Sequence, residues 1–203
     1  MGAVEFSEVV RRRRMIRHYS SRPLAPDVIE RVLANALRAP SAGFAQGWAF
    51  LALTGAADRA RFWPFAPDRA ENTPTMQDAP LVVVALAHKD TYLDAYAEPG
   101  APWPDRSEAH WAAPYWYIDT GMAALLMLLT AVDEDLGACF FAIMPENLDS
   151  FRAEFEVPGD YDPIGAVTVG YRADDQPPPH PHIKERRRAA AAVVHRGQWG
   201  QHS

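Results

Sequence analysis

The chain has 203 residues, of which 48% are hydrophobic and 23% are charged, and its formal net charge is −6. This length supports one domain with a substantial core, and the composition is typical of a globular protein. The acidic balance argues against a general nucleic-acid binder, whose binding domain would be basic. A single cysteine, Cys139, excludes an intrachain disulfide framework and a Cys-rich metal site.

The usual sequence signals for export, membrane insertion and metal binding are absent. No apolar signal segment is evident near residue 1, and the most apolar run, at 121–132, is shorter than the ~20 residues that span a bilayer. His180 and His182 have no third ligand nearby, so we expect no metal site. We expect a cytoplasmic protein in which residues 1–203 form a single domain.

The first quarter of the chain predicts two helices and a strand. A short helix at 6–14 ends in an arginine run, and a second helix begins at Pro26, because proline suits the first helical position. This helix ends at Pro40, and a polar loop at 41–47 leads into a strand at 48–53. The apolar residues of the second helix recur at helical spacing at Ile29, Val32, Leu33, Ala36 and Leu37.

The middle of the chain combines a buried strand with a long aromatic-rich stretch. The strand at 81–86 is apolar throughout, as expected for a strand buried on both faces. Residues 87–116 show no clear pattern, and we expect an irregular segment that is a candidate lid over a binding site. The alternative is a surface loop that packs on a second subunit. Its aromatic residues include Tyr92, Tyr96, Trp103, Trp111, Tyr115 and Trp116.

The remaining elements complete an alternation of helices and strands. A helix at 117–135 is apolar on every face in its middle, which predicts burial all round, here between two subunits. Strands at 138–143 and 164–169 flank a helix at 145–155, and three consecutive prolines at 177–179 begin an extended arm. This alternation favours an α+β or α/β fold.

Basic side chains concentrate at two places in this acidic chain. Arg11 to Arg14, with Arg17, form one cluster, and Lys184 to Arg188 form the other. Crowded guanidinium groups repel one another, which a bound anion relieves, and arginine grips phosphate with paired N–H donors. We therefore expect both clusters to form one phosphate site. The alternative for the first cluster is a solvated helix end, where cations are favoured.

Four segments resemble, in order, motifs of the nitroreductase family of flavoproteins. They are 13–19 (RRMIRHY), 39–48 (APSAGFAQGW), 78–80 before the apolar strand, and 136–139 after the long helix. Each segment is weakly specific alone, but together they span nearly the whole chain in register. The resemblance implies a three-layer α-β-α fold of the α+β class, with a mainly antiparallel central sheet and the long helix at a dimer interface.

The resemblance also implies an obligate homodimer that binds FMN between its subunits, with an arm at 177–203 packing on the partner. Arg13, Arg14 and Arg17 would hold the phosphate and ribityl chain, and Arg187 would complete the phosphate clamp. The other matched positions would surround the ring system: Pro40, Ser41 and Ala42 from the partner subunit, Gln46 facing the cofactor, Asn72 at the pyrimidine edge, and the backbone of Ile143 and Met144 near N5.

The chain departs from the family pattern at four other positions. Met15 stands where a serine is common, which removes one phosphate hydrogen bond. Phe44 replaces a frequent asparagine, and Gly47 replaces a proline. Thr75 stands where some members place a lysine beside the isoalloxazine, and the loss of that cation would lower the reduction potential of the flavin.

The implied activity is an FMN-dependent NAD(P)H oxidoreductase that reduces nitroaromatics, quinones or similar planar acceptors by ping-pong hydride transfer. No GxGxxG fingerprint follows a strand, so NAD(P)H is expected to bind only transiently as electron donor. No catalytic acid or base is assigned. Two alternatives stay open: an enzyme similar to the flavin destructase of 5,6-dimethylbenzimidazole synthesis, and a non-enzymatic flavin-binding or flavin-storage protein.

Overall fold

Four antiparallel strands form the centre of the part of the chain that the structure describes. This computed structural model describes residues 5–174, 176 and 183–201. The strands are β1 (Trp48–Leu53), β2 (Leu81–His88), β3 (Gly137–Phe141) and β4 (Tyr161–Gly170). They lie in the order β1-β2-β4-β3, so that β1 and β3 are the two edges of the sheet.

Strand β2 is central and buried on both faces, as its apolar sequence predicts. Its first seven residues, 81–87, are all buried. It pairs with β1 from Trp48 opposite Ala87 to Leu53 opposite Val82. Its pairing with β4 shifts register between Ala85 and Leu86.

One helical layer covers the first face of the sheet and consists of α2 (Pro26–Ala36) and α6 (Tyr115–Asp133). The predicted apolar stripe of α2 faces inward, and Val32 is fully buried. The amide of Asn35 donates to the Thr130 hydroxyl over 3.0 Å and joins the two helices. The core of this layer includes Val32, Ala36, Val83, Ala123, Met127, Val167 and Val169.

The second helical layer covers the opposite face and contains α3 (Ala56–Phe62), α4 (Pro67–Asn72) and α7 (Leu148–Phe155). Aromatic rings dominate its core. Phe62 makes edge contacts with Phe141 and Phe151, and Trp63 stacks on Phe141. Helices on both faces of an antiparallel sheet confirm the predicted α+β class and the three-layer arrangement.

The structure describes three further helices. They are α1 (Phe6–Arg12), α5 (Lys89–Ala95) and α8 (Ile183–Arg186). The triple proline at 177–179, and with it the predicted start of the extended arm, lies outside the described residues. The packing of that arm on a partner therefore stays a prediction.

Helix α6 is buried on one side and exposed on the other. Ala123, Met127 and Ala131 are fully buried, whereas Ile118 and Leu125 are 43% and 46% exposed. The prediction of burial all round is therefore not met within a single chain. Because the outer face is apolar, it leaves a stripe of side chains that favour contact with another surface.

By length and composition, α6 is also the one described helix that could cross a membrane. Of its apolar 18-residue window, 56% is buried inside the fold. Helices in a protein core pass the same test, so length and composition are a weak indication.

Several predicted boundaries are wrong. Helix α1 ends at Arg12 and not at 14, because Met15 already pairs with β3. The segment at 87–116 is not irregular throughout, since α5 occupies its start and a 3-10 turn spans Glu108–His110. Helices α3 and α4 were not predicted from the sequence.

Candidate functional site

The N-terminal arginine segment lies along the β3 edge of the sheet. Met15 forms a parallel bridge with Ala138, and the Ile16 N–H donates to the Ala138 carbonyl over 2.9 Å. At its far end the Tyr19 hydroxyl, which is 2% exposed as a residue, donates to the Ile16 carbonyl over 2.6 Å. The same hydroxyl lies 3.0 Å from the Thr168 hydroxyl of β4, so the Ala138 and Thr168 contacts fix residues 13–19 against the sheet and set where their guanidinium groups lie.

A glycine in β3 makes this close approach possible. A Cβ atom added at Gly137 would lie 2.7 Å from a methyl carbon of Ile16, closer than side-chain carbons approach. The Gly137 in the fourth family-like segment therefore has a physical role, which is to let the arginine segment pack directly on the strand.

Arg13 and Arg14, which are neighbours in this segment, differ in whether the fold provides hydrogen-bond partners for their guanidinium groups. The Nη1 atom of Arg13 is buried and has no hydrogen-bond partner among the described residues. The Nη1 atom of Arg14, in contrast, donates to the Arg11 and Arg13 carbonyls, each over 2.8 Å. Because a buried, unpaired N–H group is costly, Arg13 is the group of the two that most requires an external acceptor.

Arg17 is one of two arginines whose positive charge reaches the Cys139 thiol, and the sequence did not single out the other, Arg69. Burial raises the pKa of the Cys139 thiol, and the positive charges of Arg17 and Arg69 both oppose that rise. The two guanidinium groups therefore lie within electrostatic range of the same atom, and both residues are half-buried. Neither guanidinium forms an ion pair or hydrogen bond with any part of the chain that the structure describes, so both are free for an anion.

The turn after α4 lies beside this arginine segment. The Thr75 hydroxyl and the His18 Nδ1 atom are 2.9 Å apart, and the Tyr19 N–H donates to the Thr75 carbonyl over 3.4 Å. Asn72 is exposed at the end of α4, where its side-chain amide donates to the Asp68 carbonyl over 2.8 Å. Its side-chain oxygen stays available as an acceptor.

The predicted flavin-lining loop at 41–47 lies at the opposite edge of the sheet, where it leads into β1. Pro40 is exposed, and Ser41 and Ala42 are half-buried. Asp119, which is 1% exposed, accepts hydrogen bonds at Oδ2 from the Ala42 N–H and from the Tyr92 hydroxyl, over 2.8 and 2.9 Å. The carboxylate thus fixes the loop to α5 and α6.

Gln46, Ile143, Met144 and Arg187 complete the set of predicted site residues. Gln46 is exposed, donates to the Phe44 carbonyl over 3.3 Å, and lines a surface cavity of about 440 Å³ with Leu33, Leu37, Trp48, Ala49 and Phe50. Ile143 is buried just after β3, and Met144 is 41% exposed. Arg187 is exposed, and no hydrogen bond within the described residues joins it to the N-terminal arginines.

The structure therefore separates the predicted site into two halves. Arg13, Arg17 and the Asn72 turn belong to the β3 side, whereas the loop at 41–47 belongs to the β1 side. Two strands lie between these edges, so the halves are three strand spacings apart, roughly 14 Å. One copy of the chain does not bring the halves together.

The sequence missed three residues that this geometry brings to attention: His18, Arg69 and Asp119. A signal existed for Asp119, because it is a lone carboxylate at the start of an otherwise apolar helix. No local signal marks Arg69 or His18, since their neighbours come from distant parts of the chain.

Comparisons with known proteins agree with the fold and with these motifs. A provisionally named NADH dehydrogenase/NAD(P)H nitroreductase of Methanothermobacter thermautotrophicus is 24% identical over 177 residues, covering 86% of this chain and 81% of that protein. The crystal structure of a provisionally named nitroreductase of Exiguobacterium sibiricum in complex with FMN is 20% identical and covers 89% of this chain and 94% of its own, with a TM-score of 0.69. The structure of NfrA2 of B. megaterium is 18% identical with a TM-score of 0.75, covering 97% of this chain and 75% of its own.

The model of the nitroreductase family matches residues 10–171, which include both halves of the candidate site and every strand of the sheet. This match covers well over half of the chain. The chain therefore belongs to the nitroreductase family of oxidoreductases.

Proposed function

We propose that this protein is an FMN-dependent NAD(P)H oxidoreductase that reduces planar acceptors such as nitroaromatics or quinones. The proposal rests chiefly on one observation: the guanidinium groups of Arg13 and Arg17 lie beside β3 without a partner among the described residues. A relative of known structure binds FMN, and others are named for NAD(P)H. The location of this protein in the cytoplasm stays a prediction from its sequence.

The residues on the β3 side suit the phosphate and the polar edge of FMN. Arg13 offers a buried, unpaired Nη1 atom, and Arg17 and Arg69 supply two further cations whose charges both reach the Cys139 thiol. Arginine donors match phosphate oxygens in pairs, and the positive charge offsets a dianionic phosphate. Arg14 and Arg187 would add to this clamp. The Asn72 oxygen and the Thr75 hydroxyl provide polar groups for a ring edge.

A second copy of the chain would supply the other half of the site. The outer stripe of α6 and the cavity beside β1 leave apolar surface exposed on the chain alone. Burying such surface between two copies is favourable at about 25 cal/mol per Å². We therefore propose a homodimer in which Pro40, Ser41, Ala42 and Gln46 of one copy face the FMN held by the arginines of the other.

FMN, when bound, would supply the hydride chemistry by accepting electrons from NAD(P)H and passing them to the acceptor. The protein would bind it, orient it and set the charge around it. Arg17, Arg69 and the His18–Thr75 pair provide that charge and polarity, in place of the lysine that Thr75 replaces. Ile143 and Met144 would lie beside the reactive ring. Donor and acceptor would use this site in turn, which is a ping-pong scheme.

The test is an FMN titration followed by turnover. Purified protein should take up FMN with a flavin absorbance spectrum, and it should then consume NADH or NADPH in the presence of a quinone or nitroaromatic. Loss of the flavin itself during aerobic turnover would point instead to flavin destruction. Flavin uptake without NAD(P)H consumption would point to flavin storage, and no uptake would contradict the proposal.

A further inference from the structure

The aromatic segment after β2 is packed on itself and does not offer free ring faces. Tyr96 stacks on Trp103 at 4.9 Å between ring centroids, and Trp111 meets Tyr96 edge-on at 4.7 Å and Trp103 at 5.2 Å. Tyr92 and Trp116 are buried beneath them. We call these five residues the aromatic cluster. These ring contacts make the cluster a packed support for the neighbouring loop, and the role of the whole segment as a lid stays a prediction.

The loop at 41–47 rests on this cluster. The Ala42 N–H and the Tyr92 hydroxyl share the buried Oδ2 atom of Asp119. Gly43 lies so close to Tyr96 that a Cβ atom there would be 2.5 Å from the ring. These contacts hold the loop in one place from below.

The loop uses backbone conformations that are costly for the residues that adopt them. Phe44 has φ +56° and Gln46 has φ +55°, both in the left-handed region that favours glycine. Internal hydrogen bonds maintain the turn, from the Phe44 N–H to the Ser41 carbonyl and from the Gln46 N–H to the Ser41 hydroxyl, each over 3.0 Å. Strained backbone that is held this firmly is typical of functional sites.

This conformation presents one aromatic ring to solvent. Phe44 is 75% exposed, and no aromatic ring of the described residues lies against it. Exposing a phenylalanine and straining its backbone both cost free energy, and the 3-10 turn at Ala42–Phe44 that holds the backbone leaves the ring itself exposed. The ring therefore fits a role toward a molecule outside this chain.

We propose that Phe44 is the residue that contacts the planar aromatic acceptor, in the site that a second copy completes. This inference rests on the proposed function and names the residue that selects the acceptor. A phenyl ring favours a flat, aromatic molecule through stacked or edge contacts, and it offers nothing comparable to a small ionic oxidant. The aromatic cluster and Asp119 act through the loop and position the ring.

The test compares Phe44→Asn with Phe44→Tyr in FMN-loaded protein. Asparagine tolerates the left-handed conformation, so Phe44→Asn removes the ring while keeping the loop. Binding of 2-naphthoate, a planar aromatic that the enzyme does not reduce, is followed by the change in flavin absorbance. Steady-state kinetics are measured with 1,4-naphthoquinone and with ferricyanide, and Phe6→Asn serves as the control for another exposed phenylalanine.

We expect Phe44→Asn to raise the dissociation constant of 2-naphthoate and the KM for naphthoquinone roughly threefold to tenfold. Ferricyanide turnover and FMN affinity should be unchanged, and Phe44→Tyr and Phe6→Asn should behave as the unmodified protein. Unchanged naphthoate binding in Phe44→Asn would overturn the inference while the proposed function stands. Loss of FMN or of the dimer in that variant would overturn it too, because Phe44 would then serve the cofactor or the interface. Failure of the unmodified protein to bind FMN would overturn both.

Discussion

The individual arginines of the N-terminal segment have different roles because the fold engages them to different extents. Arg11 is exposed and already paired with Glu8 at 2.6 Å. Arg12 pairs with Asp135, also at 2.6 Å. Arg13 and Arg17 make no such pair within the described residues. An arginine run of uniform appearance in sequence therefore contains both surface ion pairs and groups that are free to bind an anion.

We expect Arg13→Ala and Arg17→Ala each to weaken FMN binding roughly tenfold or more, because a hydrogen bond to a charged group contributes about 1.5–3 kcal/mol. Flavin fluorescence titration measures this directly. Arg11→Ala is the matched control, since it removes a guanidinium from the same run without removing a free donor. Equal affinity in Arg13→Ala, Arg17→Ala and the control would remove the phosphate assignment.

We expect removal of the buried Asp119 carboxylate to lower the stability of the fold strongly. Asp119→Ala leaves the Ala42 N–H and the Tyr92 hydroxyl without their acceptor, and we expect a loss of about 2–4 kcal/mol in the free energy of unfolding. Asp119→Asn keeps an acceptor oxygen and should lose less. Urea denaturation provides the measurement. A free energy for Asp119→Ala within ~0.5 kcal/mol of the unmodified protein would contradict the assigned contacts.

Because Tyr19 is buried, we expect the free energy of unfolding to fall at alkaline pH. Burial raises the pKa of its phenol above the ordinary value of 10.0, since the charged form is disfavoured inside the fold. The folded state therefore keeps a proton that the unfolded state loses. Stability is fully present below about pH 10 and falls as the pH rises above it.

Unfolding in urea between pH 8 and pH 11 measures this dependence. We expect Tyr19→Phe to flatten the decline in stability above about pH 10 relative to the unmodified protein. Its stability at neutral pH should be lower, because it loses the hydroxyl contacts with Ile16 and Thr168. An unchanged alkaline slope in Tyr19→Phe would show that other groups cause the decline.

At the scale of elements, the outer face of α6 has the features of an interface. Ile118 and Leu125 are exposed, and Gly121, Met122 and Leu129 lie half-buried along the same face. These positions recur at three- and four-residue spacing and form one apolar stripe. Such a stripe on a helix that packs firmly by its other face fits contact with a second copy.

We expect Leu125→Glu to convert the proposed dimer to a monomer near the chain mass of 22.5 kDa, because a carboxylate would be buried in an apolar contact. Light scattering after size exclusion measures the mass. Ala153→Glu, on exposed α7 in the other layer, is the control and should stay dimeric. A Leu125→Glu variant with the mass of the unmodified protein would place the interface elsewhere.

The elements that the sequence predicted well have a strong periodic signal. The stripe of α2, the apolar run of β2 and the long α6 each place several apolar residues at one spacing. Helices α3 and α4 were missed because each is only six or seven residues long, too short for a clear period. Helix α5 was missed because Tyr92 is buried where it contacts Asp119, which lies 27 positions away in the sequence.

Prediction of the candidate site from the sequence was limited in the same way, since it missed contacts between residues that are distant along the chain. Arg13 and Arg17 could be selected because their run stands out against an acidic chain and matches a family motif. The contact of His18 with Thr75 joins residues 57 positions apart, and Arg69 is 52 positions from Arg17 in the sequence. Composition and spacing do not contain that information.

At the scale of the whole molecule, we propose that each FMN lies between two copies of the chain. The arginine half of the site adjoins β3, and the loop half adjoins β1, at opposite edges of one sheet. A two-fold dimer places the same two surfaces together twice, so it creates two equivalent sites. Each site then draws its arginines from one copy and its loop from the other.

A mixed dimer tests this claim most directly. One copy carries Arg13→Ala with Arg17→Ala, and the other carries Ala42→Glu, which puts a bulky carboxylate on the loop. Each variant alone should bind little FMN. If the sites are shared, the mixed dimer combines both defects in one site and leaves the other intact, so we expect one FMN per dimer in a flavin titration. A mixed dimer that binds no FMN would show that each site lies within a single copy, and would contradict the account.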